Sequence, residues 1–288
     1  MSPLNLLLIL VSACLHVVVH LALKRARDRM TFVWWMWVWA AVLFSPVLLL
    51  AAGEIPGPVW ALMAVSAVFE ALYFLAIARA YRLGDLSVVY PLARGTAPVL
   101  LFAWATLLLA ERPSPGGLTG IGLIATGLCV INLPHLGAWR QCLRGLGGPA
   151  SRWALSAGLC ISLYTLLDKV AVGLVDALRY TYLAMVLTVA WLTPAVLASV
   201  GRRGLAAEWR ASGWRSAAAG VAAMAAYAIV LYVLRAGAPA GYVGAAREVS
   251  VVFGAVAGAF FLGEKSSAMR VLGSSLVTGG VAAIALLG

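Results

Sequence analysis

The chain has 288 residues, of which 64% are hydrophobic and 11% charged, with a mean hydropathy of +0.99. Soluble domains carry about 25% charged residues, so this composition excludes an ordinary water-soluble globule. A net charge of +11 would suggest a nucleic-acid partner in a soluble protein, but here the positive residues sit in loops between apolar runs, where they report topology; no nucleic-acid partner is expected.

Apolar runs long enough to cross a hydrocarbon core of roughly 30 Å occur at 4–23, 32–52, 58–80, 86–110, 115–133, 153–174, 178–200, 214–234, 239–263 and 268–287. The first begins without a basic amino-terminal region or a small-residue cleavage site, and reads as a permanent helix and not a signal peptide. Trp34, Trp35, Trp37 and Trp39 near the start of the second are expected as an interfacial belt. Breaker clusters at Gly53 to Pro58, Gly84-Asp85, Pro113 to Gly117, Gly145 to Pro149 and Gly237 to Pro239 separate the runs. The longest linker, 134–152, divides the chain into halves at 1–133 and 153–288.

Alternate loops share a side of the membrane. One side collects Lys24, Arg25, Arg27, Arg29, Arg79, Arg82, Arg140, Arg144, Arg152, Arg202, Arg203, Arg210, Arg215, Lys265 and Arg270, the other only Arg112, Arg179 and Arg235. The positive-inside rule assigns the rich side to the cytoplasm, which places both termini on the non-cytoplasmic side of the cytoplasmic (inner) membrane. Cys14, Cys129, Cys142 and Cys160 show no Cys-x-x-Cys spacing and three lie in apolar runs, so neither a disulfide nor a zinc site is expected.

The two halves align at a constant offset of 153 without a gap: Arg82/Arg235, Gly84/Gly237, Ala93/Ala246, Arg94/Arg247, Glu111/Glu264, Gly120/Gly273 and Gly127/Gly280. Shared apolar character does not explain matched arginines and glutamates. Five spans per half is an odd number, so consecutive copies enter the membrane in opposite senses. The expected fold is an all-α integral membrane protein of ten transmembrane helices in two inverted five-helix repeats, a construction common in secondary transporters.

The segment 84–95, Gly-Asp-Leu-Ser-Val-Val-Tyr-Pro-Leu-Ala-Arg-Gly, is closed by Ala-Glu-Arg at 110–112 and followed by a glycine-rich fifth run; the second copy shows Gly-Glu-Lys at 263–265. These features resemble the EamA-type unit, and the whole chain resembles a ten-helix, two-repeat member of the drug/metabolite transporter superfamily. Tyr164-Thr165-Leu166-Leu167-Asp168-Lys169 in the sixth run is similar to that family's second-half opening. The resemblance implies a transporter whose ligands range from amino acids to drugs and sugar phosphates.

Ionisable residues inside spans cost about 2.5–3.5 kcal/mol on insertion scales and are functional candidates by default. Glu70 lies near the middle of the third run, with Tyr73 and Phe74 on its face; it could carry a coupling proton or form a fixed ion pair with Arg94. Arg94 shares a helix face with Tyr90 and Pro98, and Pro98 cannot donate to the carbonyl of Arg94, so this helix is expected to border the pathway. Arg247, beside Glu248, is the repeat mate of Arg94. The two arginines could clamp an anionic ligand or be neutralised by internal carboxylates.

His16, His20 and Lys24 form one stripe of the first helix; Cys160, Tyr164 and Asp168 form another on the sixth. Both are expected to face a central cavity, with His16 and His20 as further proton-coupling candidates. Asp168 and Lys169 are either an internal pair or substrate contacts, and Tyr227 on the eighth run joins the candidate site. Glu111-Arg112 and Glu264-Lys265 read as interfacial caps and topology markers. His16 and His20 alone make too few ligands for a metal, and no phosphate-cradling loop or hydrolase triad is present, so neither metal, cofactor nor catalysis is expected.

The sequence thus points to a secondary transporter, operating by alternating access and favouring export, for an anionic or zwitterionic metabolite such as an amino acid, organic acid or phosphonate-like compound. Its expected partners are the substrate, membrane lipids and protons as coupling ion, in a monomer or homodimer. Two competing readings are a proton-coupled exporter of cationic drugs using Glu70, and, from another class, an intramembrane enzyme or non-transporting lipid-binding protein.

Overall fold

The computed structural model describes residues 2–50, 54–84, 86–131, 133, 135–138, 147–262 and 267–288. In chain order the helices are α1 (Pro3–Lys24), α2 (Arg29–Leu43), α3 (Val47–Leu50), α4 (Gly57–Leu83), α5 (Leu86–Leu108), α6 (Pro115–Val130), α7 (Pro149–Val172), α8 (Ala177–Arg235), α9 (Ala240–Ala246), α10 (Val249–Leu262) and α11 (Ala268–Leu287). No strand occurs among the described residues. Helix is the form that satisfies every backbone polar group within its own segment, as a hydrocarbon solvent demands.

Helix starts are written in the sequence. Ser2, Asp28, Ser114 and Ser267 each accept a first-turn N–H, at 3.2, 2.8, 2.9 and 3.2 Å respectively, and Asp176 accepts from Leu178 and Arg179 at 3.0 Å each. Pro3, Pro115 and Pro149 stand at the first helical position, where the missing N–H costs nothing.

Five of the described helices are long and apolar enough to cross a membrane, within Pro3–Leu23, Gly57–Leu83, Pro149–Val172, Ala177–Arg235 and Ala268–Leu287. Leu92–Leu108 and Pro115–Val130 are shorter apolar helices. The chain is a multi-pass integral membrane protein.

Two expected spans and one expected loop have a different form. The run 32–52 is interrupted: α2 ends at Leu43, and the chain resumes as α3 after Pro46, whose nitrogen has no proton for the helical ladder. The loop expected between 200 and 214 is itself helical. At 59 residues α8 would span roughly 90 Å if straight, but it breaks at Gly201 (φ 62°, ψ 179°) and Ser212 (φ −143°, ψ 20°) into arms at 177–200, 202–211 and 213–235. Gly201 supplies the left-handed φ that other residues avoid, and the middle arm is rich in the good helix formers Ala, Leu, Arg and Glu. The third difference, a break in the run 239–263 at Arg247 and Glu248 between α9 and α10, bears on the site.

The middle arm of α8 is pinned to the first half. Trp35 Nε1 donates to the Leu205 carbonyl at 3.0 Å, and Trp39 stacks on Trp209 with centroids 5.0 Å apart. Glu208, 2% exposed, accepts from the Asp28 N–H at 2.9 Å and from the Ser212 hydroxyl. Farther along α2, Trp34 Nε1 donates to Thr193 Oγ1 at 2.9 Å. The tryptophans of α2 therefore dock the second half of the chain.

Glycines set the closest approach between halves. A Cβ on Gly120 would stand 2.7 Å from the Gly280 carbonyl oxygen, and one on Gly127 would stand 2.7 Å from that of Gly273. As numbers rise along α6 they fall along α11, so these helices run antiparallel. Adding 153 to Gly120 gives Gly273, and adding it to Gly127 gives Gly280; the two contacts exchange with one another under the sequence repeat.

Candidate functional site

The polar residues of α4 reach two neighbours from one face. Glu70 accepts a hydrogen bond from Thr188 Oγ1 on the first arm of α8 at 2.8 Å. One turn earlier, Ser66 donates to Asp168 Oδ1 at 2.5 Å. Asp168, on α7 and 1% exposed, also accepts from the Tyr180 hydroxyl at 2.6 Å and from the Tyr227 hydroxyl. Three O–H donors from α4 and the first and third arms of α8 thus converge on one carboxyl group.

Tyr164 lies one turn before Asp168, between Tyr73 and Tyr227, with ring centroids 6.4 and 6.3 Å away. Tyr73 in turn packs on Phe74 at 4.8 Å. The guanidinium of Arg247 lies 5.6 Å from the centre of the Tyr227 ring, close enough for a cation–π contact.

Arg247 and Glu248 occupy the break between α9 and α10. The N–H groups of Glu248, Ser250 and Val251 bond to Ala245, Arg247 and Glu248, three residues back in place of four, so the helix tightens there into a 3₁₀-like turn. Glu248 projects from this turn onto α5, where its Oε2 lies 3.1 Å from Arg94 Nε; the two side chains are 7% and 16% exposed. The alternative of a Glu70–Arg94 pair is replaced by this one, because α4 directs Glu70 toward Thr188 while the broken helix brings Glu248 to Arg94. The break also falls in the mate of the helix where Pro98 pointed to irregularity; α5 runs as helix through Pro98.

Ser12, Ala13 and His16 of α1 meet Arg94, Arg247 and Ser250 in a narrow cleft. His16 Nδ1 lies 3.0 Å from the Ser12 carbonyl, which only accepts, so Nδ1 carries the proton. A neighbouring cavity of about 170 Å³ brings Tyr73, Phe74 and Arg94 together with Arg29 and Tyr81. It runs from the aromatic group toward the end of the helices where Arg25, Arg27 and Arg29 lie.

At the opposite end, hydrogen bonds tie the two halves together around a smaller cavity of about 130 Å³. Glu111 accepts from the N–H groups of Ala240 and Gly241 at 2.7 and 3.4 Å, capping α9, and the Tyr242 hydroxyl accepts from the Ser114 N–H at 2.8 Å. Lys169 Nζ donates to the carbonyls of Leu234 and Ala238 at 2.9 and 2.7 Å. Asp168 and Lys169 therefore do not pair: successive helix positions point them to different neighbours, one to the hydroxyl cage and one to the α8–α9 turn.

Of the candidates named from sequence, Glu70, Tyr73, Arg94, Tyr164, Asp168, Tyr227, Arg247, Glu248 and His16 gather into this region, while Lys169 sits at the end near Glu111. The side chains of Tyr90 and His20, like that of Lys24, lie outside the described residues, as do Glu264 and Lys265. Ser12, Ser66, Tyr180, Thr188 and Ser250 were not anticipated. Ser66 carried a readable signal, standing four residues before Glu70 and so on its face. Among the described residues no three His, Cys, Asp or Glu side chains are grouped to hold a metal ion.

A solved protein crystal structure superposes on 100% of this chain and 98% of its own, with a TM-score of 0.76 at 17% identity; at that identity the likeness concerns the fold alone. No curated protein matches the sequence. The EamA-like transporter family matches twice, over residues 4–133 and 149–286, which together take in nearly the whole chain. With both halves matched, a helical membrane fold and a polar cluster drawn from each half, the chain belongs to the EamA-like transporter family as a two-repeat member of the drug/metabolite transporter superfamily.

Proposed function

We propose that this protein is a secondary transporter that moves a small zwitterionic or anionic metabolite across the cytoplasmic membrane by alternating access. The observation that carries this reading is the pairing of charges at the centre. Arg94 and Glu248 face each other at 3.1 Å, while neither Arg247 nor Glu70 forms an ion pair among the described residues. Arg247 is within electrostatic reach of Glu70. A cation and a carboxylate outside that pair, in the same region as Tyr73, Tyr164 and Tyr227, suit a ligand that carries both charges on a compact apolar or aromatic body, its carboxylate to the guanidinium and its ammonium to Glu70.

The reading takes the protein as ten spans in two inverted repeats. Counting α2 with α3, the outer arms of α8, and α9 with α10 as single crossings gives ten. The antiparallel α6–α11 contact, whose glycine pairs exchange under the 153-residue offset, supports the inverted arrangement. The helix broken at Arg247 and Glu248 is the kind of discontinuity transporters place at a binding site. The basic end is taken as cytoplasmic. Under this reading, the larger cavity directed toward Arg29, about 170 Å³ against about 130 Å³ at Glu111, supports a state more open toward the cytoplasm.

Purified protein in proteoliposomes tests the reading. Flux of an amino acid or organic acid, measured with and without a proton gradient, is the expected result. Flux of lipophilic cations in its place, lost in Glu70→Gln, would transfer the assignment to proton-coupled drug export.

A further inference from the structure

Another feature with a ligand's chemistry lies away from the central cluster, on the surface between α1 and the third arm of α8. These segments run antiparallel, so the end of α1 meets the start of that arm. Between them is a groove of about 310 Å³. Val18, Leu21 and Ala218 form its apolar walls, and Arg25, Trp214 and Arg215 stand together at one end. Val18 is 46% and Trp214 75% exposed. The Arg215 guanidinium lies 5.6 Å from the Trp214 ring centre. No carboxylate lines the groove, and neither arginine takes an ion pair among the described residues.

In a membrane-spanning bundle the medium against such walls is lipid, so an acyl chain is the natural filling. A tryptophan ring at the end of a span marks headgroup depth, and two guanidinium groups with no opposing carboxylate suit a phosphate that carries net negative charge. We infer that this groove is a site for one anionic phospholipid, with its acyl chain against Val18, Leu21 and Ala218 and its phosphodiester between Arg25 and Arg215. The third arm of α8 also carries Tyr227, which bonds Asp168, so lipid seated here would bear on a helix that reaches the centre.

Native mass spectrometry of the intact protein, released from detergent with phosphatidylglycerol or phosphatidylcholine added, tests the site. With each basic contact near a membrane surface contributing about 1 kcal/mol, the expected result is roughly tenfold or greater retention of phosphatidylglycerol. Arg25→Gln with Arg215→Gln should reduce retention to the phosphatidylcholine level while leaving the melting temperature in phosphatidylcholine unchanged. Ala218→Phe, which fills the groove and spares both arginines, should lose the preference too. Equal retention of the two lipids by the unaltered protein, or a preference that survives in the variants, would overturn the inference. So would equal stabilisation by inorganic phosphate alone, which would show an anion site with no lipid requirement. None of these readings depends on substrate flux.

Discussion

Arg94 Nε and Glu248 Oε2 lie 3.1 Å apart across the two halves of the chain, and both side chains are largely buried. The pair is not one the repeat reproduces, because Glu248 takes the place that Gly95 holds in the first half. An element that both halves share, and that sits where one helix breaks, is positioned to sense any movement of one half against the other. Removing one partner from a buried pair costs about 3–5 kcal/mol. Glu248→Gln is therefore expected to lower the stability of the protein in detergent by about that amount. Combining it with Arg94→Gln should cost less than the sum of the single changes, with a coupling of about 1–3 kcal/mol in a double-mutant cycle. Additive losses would mean that the two side chains do not support each other.

The hydroxyl cage around Asp168 makes a second, separable prediction. Asn in place of Asp keeps the shape but cannot accept on its amide nitrogen, so at least one of the hydroxyls of Ser66, Tyr180 and Tyr227 loses its acceptor. A loss of about 1–3 kcal/mol is expected, read as a lowered melting temperature. Tyr227→Phe should cost less, because it removes the donor and leaves Asp168 with two others.

How much of this was legible in the sequence differs by residue. Arg94, Arg247, Glu70 and Asp168 could be picked out because an ionisable side chain in an apolar run is costly and therefore conspicuous. Partners were not legible: Arg94 meets Glu248 at the tightened turn of 247–248, which no proline marks, and the proline that is visible, Pro98, sits within the continuous α5. Glu208 shows the opposite failure. It stands among the arginines of a polar stretch and was not singled out from the sequence, yet it is 2% exposed and holds the α1–α2 turn through the Asp28 N–H. Composition and periodicity report which residues enter the membrane, and not which loops pack against neighbouring helices.

That loop contact has its own consequence. Glu208→Ala removes the acceptor for the Asp28 N–H and leaves the Ser212 hydroxyl with the Glu208 carbonyl alone, and is expected to destabilise by about 1–3 kcal/mol. Hydrogen exchange should show faster opening confined to 26–31 and 202–213. Unchanged protection there would show that the stacking of Trp39 on Trp209 suffices to hold the arm.

Neighbouring glycines of α11 provide an internal control for the contact between halves. A Cβ on Gly280 would meet the Gly120 carbonyl oxygen at 2.6 Å, whereas one on Gly279 meets nothing within 4 Å. Gly280→Ala should destabilise by about 1–3 kcal/mol through overpacking, while Gly279→Ala should be neutral or slightly stabilising, since Ala is the better helix former. Equal melting temperatures for the two variants would argue against the close α6–α11 approach.

The central claim is that Arg247 and Glu70 bind the two charges of one small substrate. The measurement that tests it most directly is uptake of zwitterionic and anionic metabolites into proteoliposomes by the unaltered protein, Arg247→Gln and Glu70→Gln. The account predicts saturable flux of at least one such metabolite. It further predicts flux reduced tenfold or more in Arg247→Gln, and in Glu70→Gln a loss greater for zwitterions than for simple anions. Undiminished flux in Arg247→Gln, or flux confined to cations, would contradict it.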